Sequence, residues 1–185
     1  MYSMESSIDR VQIAISGLKG SGKTSFLLAL WEALEDEGLS VSGILSPAVY
    51  DGRRKVAIEM VDLESGDRRV LARLAADVET PVDLCFGDWA FFTETITWGN
   101  ECLSKIESTD VLILDEIGPL ELELGQGLQA GLDQLTGGRY RLGVMTVRPK
   151  CVNQLVTKFP GTKVYSLISW QRDALIKEIL RIVLA

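Results

Sequence analysis

The run Gly17-Leu18-Lys19-Gly20-Ser21-Gly22-Lys23-Thr24 constrains this chain more than any other, because it fills every fixed position of the pattern G-x-x-x-x-G-K-[ST]. Val11 to Ser16, before it, is a short apolar run rich in β-branched residues. Ser25 to Trp31, after it, repeats apolar residues at helical spacing. The motif therefore lies between a strand and a helix. Glycines let such a loop curl without Cβ clashes, which turns successive backbone N–H groups inward as an anion nest at the positive end of the helix dipole. A ligand bearing a triphosphate follows. Gly17, Leu18, Lys19, Gly20, Ser21, Gly22, Lys23, Thr24 and Ser25 form the expected nucleotide-binding segment, with Lys23 reaching the β- and γ-phosphates and Thr24 offering its hydroxyl to Mg²⁺. Leu18 occupies the place where some dimerising ATPases carry a second lysine, so Lys19, one position later, is read as a loop cation near the phosphates or simply as a solvated side chain.

A chain of 185 residues, 46% hydrophobic, is long enough for one α/β domain with its own core, and residues 1–185 are expected to form a single unit. The net charge of −7 argues against a general electrostatic grip on nucleic acid or an anionic membrane surface. No apolar stretch reaches the length of a spanning helix, and Met1 to Arg10 is polar and acidic, so a cytoplasmic location is expected. Cys85, Cys102 and Cys151 are scattered, and histidine is absent, so the spacing indicates neither a zinc site nor a disulfide framework; the cysteines are read as packing residues. Without histidine, carboxylates must handle protons.

The helix after the loop should run to about Glu37, with Gly38 as its stop, and a second strand should cover Val41 to Leu45. Pro47 breaks that pattern, and the turn signals Asp51-Gly52 and Glu64-Ser65-Gly66-Asp67 divide residues 47–74 into an antiparallel meander, a flap or edge sheet beside the nucleotide site. It carries Arg53, Arg54, Lys55, Arg68, Arg69 and Arg73, read as a solvated face or as phosphate contacts. Residues 75–90 form the least regular segment. A helix follows from Phe91 to Ile106. Phe86, Trp89, Phe91, Phe92 and Trp98 are read as core and lid packing rather than a base-stacking platform.

The second decisive segment is Val111-Leu112-Ile113-Leu114-Asp115-Glu116, four apolar residues and then two carboxylates. It reads as a buried parallel strand whose C-terminal end delivers acid to the ligand crevice. Asp115 is placed to hold Mg²⁺ with Thr24, and Glu116 to orient and deprotonate the attacking water. A helix from Glu121 to Leu135, strands at Tyr140 to Val147 and Lys163 to Ile168, and a terminal helix from Gln171 to Leu184 complete the pattern. Arg148, after the Tyr140 strand, is a candidate to neutralise transition-state charge, or a surface arginine. Gln171 and Arg172, after the last strand, are candidates to meet the base.

With the phosphate loop, Asp115-Glu116-Ile117-Gly118-Pro119-Leu120-Glu121-Leu122 resembles the signature D-E-I-G-x-M-E-L of the small P-loop nucleoside-triphosphatase family, the type found in thermophiles and in the human cancer-related nucleoside-triphosphatase. Val41-Ser42-Gly43-Ile44 looks like the family's second strand, Gly52-Arg53-Arg54 to Asp62-Leu63 like its glycine-arginine hairpin, and Gln171-Arg172-Asp173 like its late N-R-D element. Leu120 stands for methionine, Gln171 for asparagine, Ser46-Pro47 for a threonine-containing turn, and Val56-Ala57 for an aromatic-glycine step. The resemblance implies a RecA-like P-loop fold, α/β in three layers with a mainly parallel sheet, hydrolysing ATP, GTP and other nucleoside triphosphates with little base discrimination. Thr157-Lys158-Phe159-Pro160 and Thr162-Lys163-Val164-Tyr165 lack the aspartate of a guanine-reading loop, which agrees. Catalysis is assigned to Lys23, Glu116 and Arg148, with Arg53 or Arg148 neutralising charge on the transferred group. Two other readings fit the same loop: a nucleoside or small-metabolite kinase, and a nucleotide-gated binding module that uses weak hydrolysis to time a protein partner.

Overall fold

The computed structural model describes residues 10–79, 84–167 and 171–185. Met1 to Asp9, Pro81, Ile168 and Trp170, which entered the sequence reading, lie outside them. In chain order the strands are β1 (Val11–Ser16), β2 (Val41–Leu45), β3 (Ala48–Asp51), β4 (Arg54–Asp62), β5 (Arg68–Leu74), β6 (Leu84–Phe86), β7 (Trp89–Phe91), β8 (Thr109–Ile117), β9 (Tyr140–Val147) and β10 (Lys163–Ser166). The helices are α1 (Lys23–Asp36), α2 (Thr93–Lys105), α3 (Pro119–Leu122), α4 (Gln129–Gly137), α5 (Val152–Lys158) and α6 (Arg172–Leu184).

All ten strands form one mixed sheet in the order β10-β1-β9-β8-β2-β4-β5-β7-β6, with β3 pairing onto β4. From β10 to β2 the pairing is parallel, and beyond β2 it is antiparallel. In the parallel half the apolar residues alternate between two faces, as the two-residue repeat of a strand requires. Ile13, Ile15, Ile113 and Val144 pack against Phe26, Leu30 and Leu34 of α1 and Leu175, Ile179 and Val183 of α6. Ala14, Leu112, Leu114 and Met145 pack on the other face against Leu103 of α2, Leu132 and Leu135 of α4, and Leu155 of α5. Burying each of these large side chains stabilises the fold by about 1.5–3 kcal/mol, so the parallel strands are held from both sides. Their C-terminal ends are thereby fixed along one edge, where ligand crevices of α/β sheets form.

The antiparallel half is larger than residues 47–74. The meander β3-β4-β5 is present, and it joins the main sheet directly through β2, with Ile44 opposite Asp62 and Leu45 opposite Val61. It continues through β7 and β6, which Gly87 joins at φ 60°, so part of the segment read as irregular is sheet. Phe91 belongs to β7, and α2 starts two residues later at Thr93. The helix expected from Glu121 to Leu135 is interrupted: α3 stops at Leu122, and α4 begins at Gln129. Gly125 and Gly127 between them have φ of 62° and 69°, a conformation that ends helices. The α5 helix, seven residues long, is too short for its apolar spacing to mark it in the sequence. Of the cysteines, Cys151 is buried as a packing residue should be, whereas Cys85 is exposed; all three are free.

Gly43 shows how closely the parallel half is packed. Its φ is 132°, and a Cβ there would run into the Ile113 carbonyl of the neighbouring β8. Glycine is required by both conformation and space. Gly43→Ala should therefore lower unfolding stability by about 2 kcal/mol or more, read as a fall in urea midpoint at unchanged m-value. A midpoint within error of wild type would contradict the packing described.

Candidate functional site

The loop between β1 and α1 has the backbone its glycines allow. Gly20 and Gly22 have φ of 79° and 88°, and Gly22 is the residue that begins α1, with its carbonyl accepting from the Phe26 amide at 2.8 Å. A Cβ on Gly17 would collide with the Ser21 hydroxyl. The loop is anchored at its start by the Gly17 amide, which donates to the Val147 carbonyl at 3.3 Å at the end of β9. Lys23 is buried, and its ammonium donates to the carbonyls of Gly17 (2.9 Å) and Leu18 (3.1 Å). Burial pulls its pKa below the ordinary value, while Glu116 and then Asp115 act in the opposite direction, so the ammonium stands in the field of both carboxylates. Ser21 Oγ is buried with no hydrogen-bond partner within the described residues, which leaves a donor for an anion in the loop. Leu18, Lys19 and Ser25 are exposed at its rim.

The carboxylates sit on β8, and a bulge there separates their directions. Leu114 lies opposite Met145 and Ile117 opposite Val147, so Asp115 and Glu116 together face the single residue Thr146. Glu116 has φ 60°, the only positive value at a non-glycine residue among those described. A bulge that places two residues against one re-aims a side chain, and holding a branched-free residue in the left-handed region costs about 1–2 kcal/mol. Thr146, fully buried, supports this turn. Its hydroxyl accepts from the Glu116 amide at 2.7 Å and donates to Asp115 Oδ1 at 2.6 Å. Asp115, 2% exposed, takes a second bond at Oδ2 from the Ser46 amide at 3.2 Å. Burial pushes its pKa up, opposed by the hydroxyls of Thr146 and Thr24 and, less, by the Ser46 amide. Thr24 of the loop thus meets Asp115 of β8.

Arg148 follows β9 and donates to Glu116 Oε1 at 3.2 Å; both side chains are about one-third exposed, at 36% and 37%. Arg53 occupies the exposed β3–β4 turn, and among the described residues no hydrogen bond or ion pair ties it to the phosphate loop or the β8 carboxylates. Arg54 beside it pairs with Asp77 at 2.9 Å. The cation that the hairpin brings in is Lys55, half-buried, with its ammonium 4.8 Å from the centre of the Trp89 ring. Burial lowers the Lys55 pKa, and the charges acting on it are Glu116, Lys19, Arg148 and Asp115. The sequence reading placed Lys55 in a basic cluster without singling it out, because strand direction after a turn decides which of three adjacent cations points inward. Gln171 and Arg172 open α6, and among the described residues no hydrogen bond or ion pair ties either to the phosphate loop.

Beyond Glu116 the chain turns through Gly118 into α3, where the half-buried Glu121 carboxylate accepts from the Gly118 amide at 3.0 Å and the Leu128 amide at 3.1 Å. One side chain therefore closes the ends of the interrupted helix. Burial raises its pKa, and the two amides act against that rise. A cavity opens here, lined on one side by Asp115, Glu116, Glu121 and Arg148 and on the other by apolar residues of the antiparallel strands.

A family model described as NTPase matches residues 12–180. The chain is 36% identical over 112 residues to the nucleoside-triphosphatase THEP1 of Methanopyrus kandleri, a match that spans 60% of this chain and 59% of that protein. It is 27% identical over 177 residues to the nucleoside-triphosphatase THEP1 of Methanocaldococcus jannaschii, covering 95% and 98% of the two. The solution structure of a human cancer-related nucleoside triphosphatase superposes with a TM-score of 0.71 at 24% identity over 94% of this chain and 97% of that one, which extends the likeness to the fold.

The Thr146 hydroxyl makes its own prediction. Thr146→Val keeps the shape of the side chain but leaves both the Glu116 amide and Asp115 Oδ1 without their partner. Nucleotide turnover should fall by about 10–100-fold, measured as steady-state phosphate release, and unfolding stability by about 1–3 kcal/mol. Turnover within about twofold of wild type would show that the hydroxyl does not position the carboxylates.

Proposed function

The chain belongs to the NTPase family, and from that premise we propose that it is a Mg²⁺-dependent hydrolase converting ATP, GTP and other nucleoside triphosphates to diphosphate and phosphate. The observation that carries this reading is the β8 bulge: it sends two adjacent carboxylates to different tasks, one fixed in the interior by two hydrogen bonds and one turned out beside Arg148. Loop amides, Ser21 and Lys23 bind the phosphates. Thr24 and Asp115 hold the metal. The donor set fits Mg²⁺, which takes one or two protein oxygens together with water and phosphate oxygens rather than an all-protein cage; among the described residues no cluster of three or more metal-ligating side chains exists. When bound, the ion neutralises charge on the β- and γ-phosphate oxygens.

Glu116 accepts a proton from the attacking water as its oxygen bonds to the γ-phosphorus, and the bond from that phosphorus to the β-phosphate oxygen breaks, releasing the diphosphate. The water has to lie within hydrogen-bond reach of the carboxylate. Arg148, held by Glu116 in this structure, and Lys55, which feels the same charges, supply positive charge for the transferred group. Broad base use is supported by the candidate guanine-reading tetrapeptides: Thr157-Lys158 closes α5 and Thr162-Lys163 opens β10, and neither run carries the aspartate. Gln171 and Arg172, at the start of α6, are proposed to approach the base. No helix of the described residues is long and apolar enough to cross a membrane, and we place the enzyme in the cytoplasm, acting as a single unit on free nucleotides.

Glu116→Gln should retain nucleotide binding and lose about 10²–10⁴-fold in turnover, because it keeps shape and removes the base. Lys23→Ala should abolish binding, measured by fluorescent-nucleotide titration. Wild-type turnover by Glu116→Gln would sink the assignment of the base.

A further inference from the structure

The cavity beside Glu116 is larger, and its walls more apolar, than one attacking water requires. It admits a water-sized sphere over about 80 Å³, where about 10–15 Å³ on that measure holds one water. Its walls are Ile58 and Met60 of β4, Leu71 of β5, Phe86 of β6 and Phe91 of β7, with Ile96 of α2 behind them. These strands belong to the antiparallel half. Glu116 lines the chamber, and its charge also acts on Lys23 of the phosphate loop, so it borders both. The other acids at its edge are engaged. Glu121 accepts from two backbone amides, and both oxygens of Asp115 take hydrogen bonds. Glu116 accepts from Arg148 through Oε1, and among the described residues Oε2 has no hydrogen-bond partner. A ligand that fits has an apolar body for the walls and one hydroxyl for that oxygen, because a charged or heavily hydrated molecule would lose its water to side chains that return nothing.

We propose that this cavity binds a small apolar alcohol, aromatic or branched aliphatic, as an alternative acceptor of the γ-phosphoryl group. The inference rests on the role given to Glu116 above and adds the substrate class of its second side. The alcohol hydroxyl gives its proton to the Glu116 carboxylate as its oxygen bonds to the γ-phosphorus. The bond from that phosphorus to the β-phosphate oxygen breaks, its electron pair leaves with the diphosphate, and the products are a phosphate monoester and a nucleoside diphosphate. Water attacks when no alcohol is present. Binding against these apolar walls gives the alcohol its advantage, since a positioned nucleophile reacts at an effective concentration far above its solution value.

The test incubates the full chain with ATP labelled in the γ-phosphate, Mg²⁺, and benzyl alcohol or isoamyl alcohol, with glucose as a hydrated control, and separates products by thin-layer chromatography. Labelled phosphate monoester should form with the two apolar alcohols, while free phosphate falls in proportion. Ile96→Trp, which adds bulk to the chamber wall away from the reacting groups, should cut ester formation by about tenfold or more while leaving hydrolysis within about twofold; Ile96→Phe should give a smaller cut. Normal hydrolysis with no ester from either alcohol overturns the acceptor site and leaves the hydrolase reading intact. Ester formed equally from glucose, or untouched by both Ile96 variants, overturns it as well, because the chamber would then not select the nucleophile. Ester formation without hydrolysis would sink the hydrolase reading and keep the acceptor site, and the absence of both activities would sink the two together.

Discussion

The hydroxyl of Thr146 is the group on which the site depends. It lies next to the end of β9, a strand buried at every position but Arg141, and bonds two successive residues of the neighbouring strand, accepting from the Glu116 amide and donating to the Asp115 carboxylate. A regular parallel ladder would place residues 115 and 116 on opposite faces of the sheet, one in each core. The bulge puts both opposite Thr146 instead, and the left-handed conformation of Glu116 turns its side chain toward solvent and Arg148. Buried hydrogen bonds of this kind hold strain that the surrounding core over-determines.

The order of strands makes this arrangement reachable. β9 lies between β1 and β8, so its end touches both halves of the site: the Val147 carbonyl takes the amide of Gly17, and Thr146 takes β8. The apolar alternation of β1, β8 and β9 anchors the three strands between helices on both faces, and motion at the edge is limited by that burial. The antiparallel strands then extend the same sheet past Glu116 rather than forming a detached lid. They bring Lys55 to the charged side and Ile58, Met60 and Phe91 to the apolar one.

Much of this was legible in the residues. The phosphate loop is a local device whose glycines, lysine and threonine sit at fixed spacing, and it folded between the strand and helix that its flanks specify. β2, β5 and β9 have the bounds their turns and apolar runs imply. What was hidden depends on register. A one-residue offset across β8 and β9 separates Asp115 from Glu116, and neither strand's composition encodes it. Lys55 is the hairpin cation that stands in the field of Glu116 and Asp115, while Arg53 sits at the tip of the Gly52 turn, and composition does not tell these neighbouring cations apart. β6 and β7 span three residues each, too few for alternation to register, and the Glu121 helix is broken by glycines whose φ values only the fold reveals. The chamber is assembled from strands distant in sequence, so no single motif marks it.

The claim that Thr146, Asp115 and Glu116 act as one device is tested most directly by a double-mutant cycle on turnover. Steady-state phosphate release is measured for Thr146→Val, for Glu116→Gln and for the two together. Because the hydroxyl also holds Asp115, its loss should still cost something once the Glu116 carboxylate is gone, but less than in wild type, so the double variant should lose at least about threefold less than the product of the two single losses. Losses that multiply, with the hydroxyl costing as much in the Glu116→Gln background as in wild type, would contradict the account.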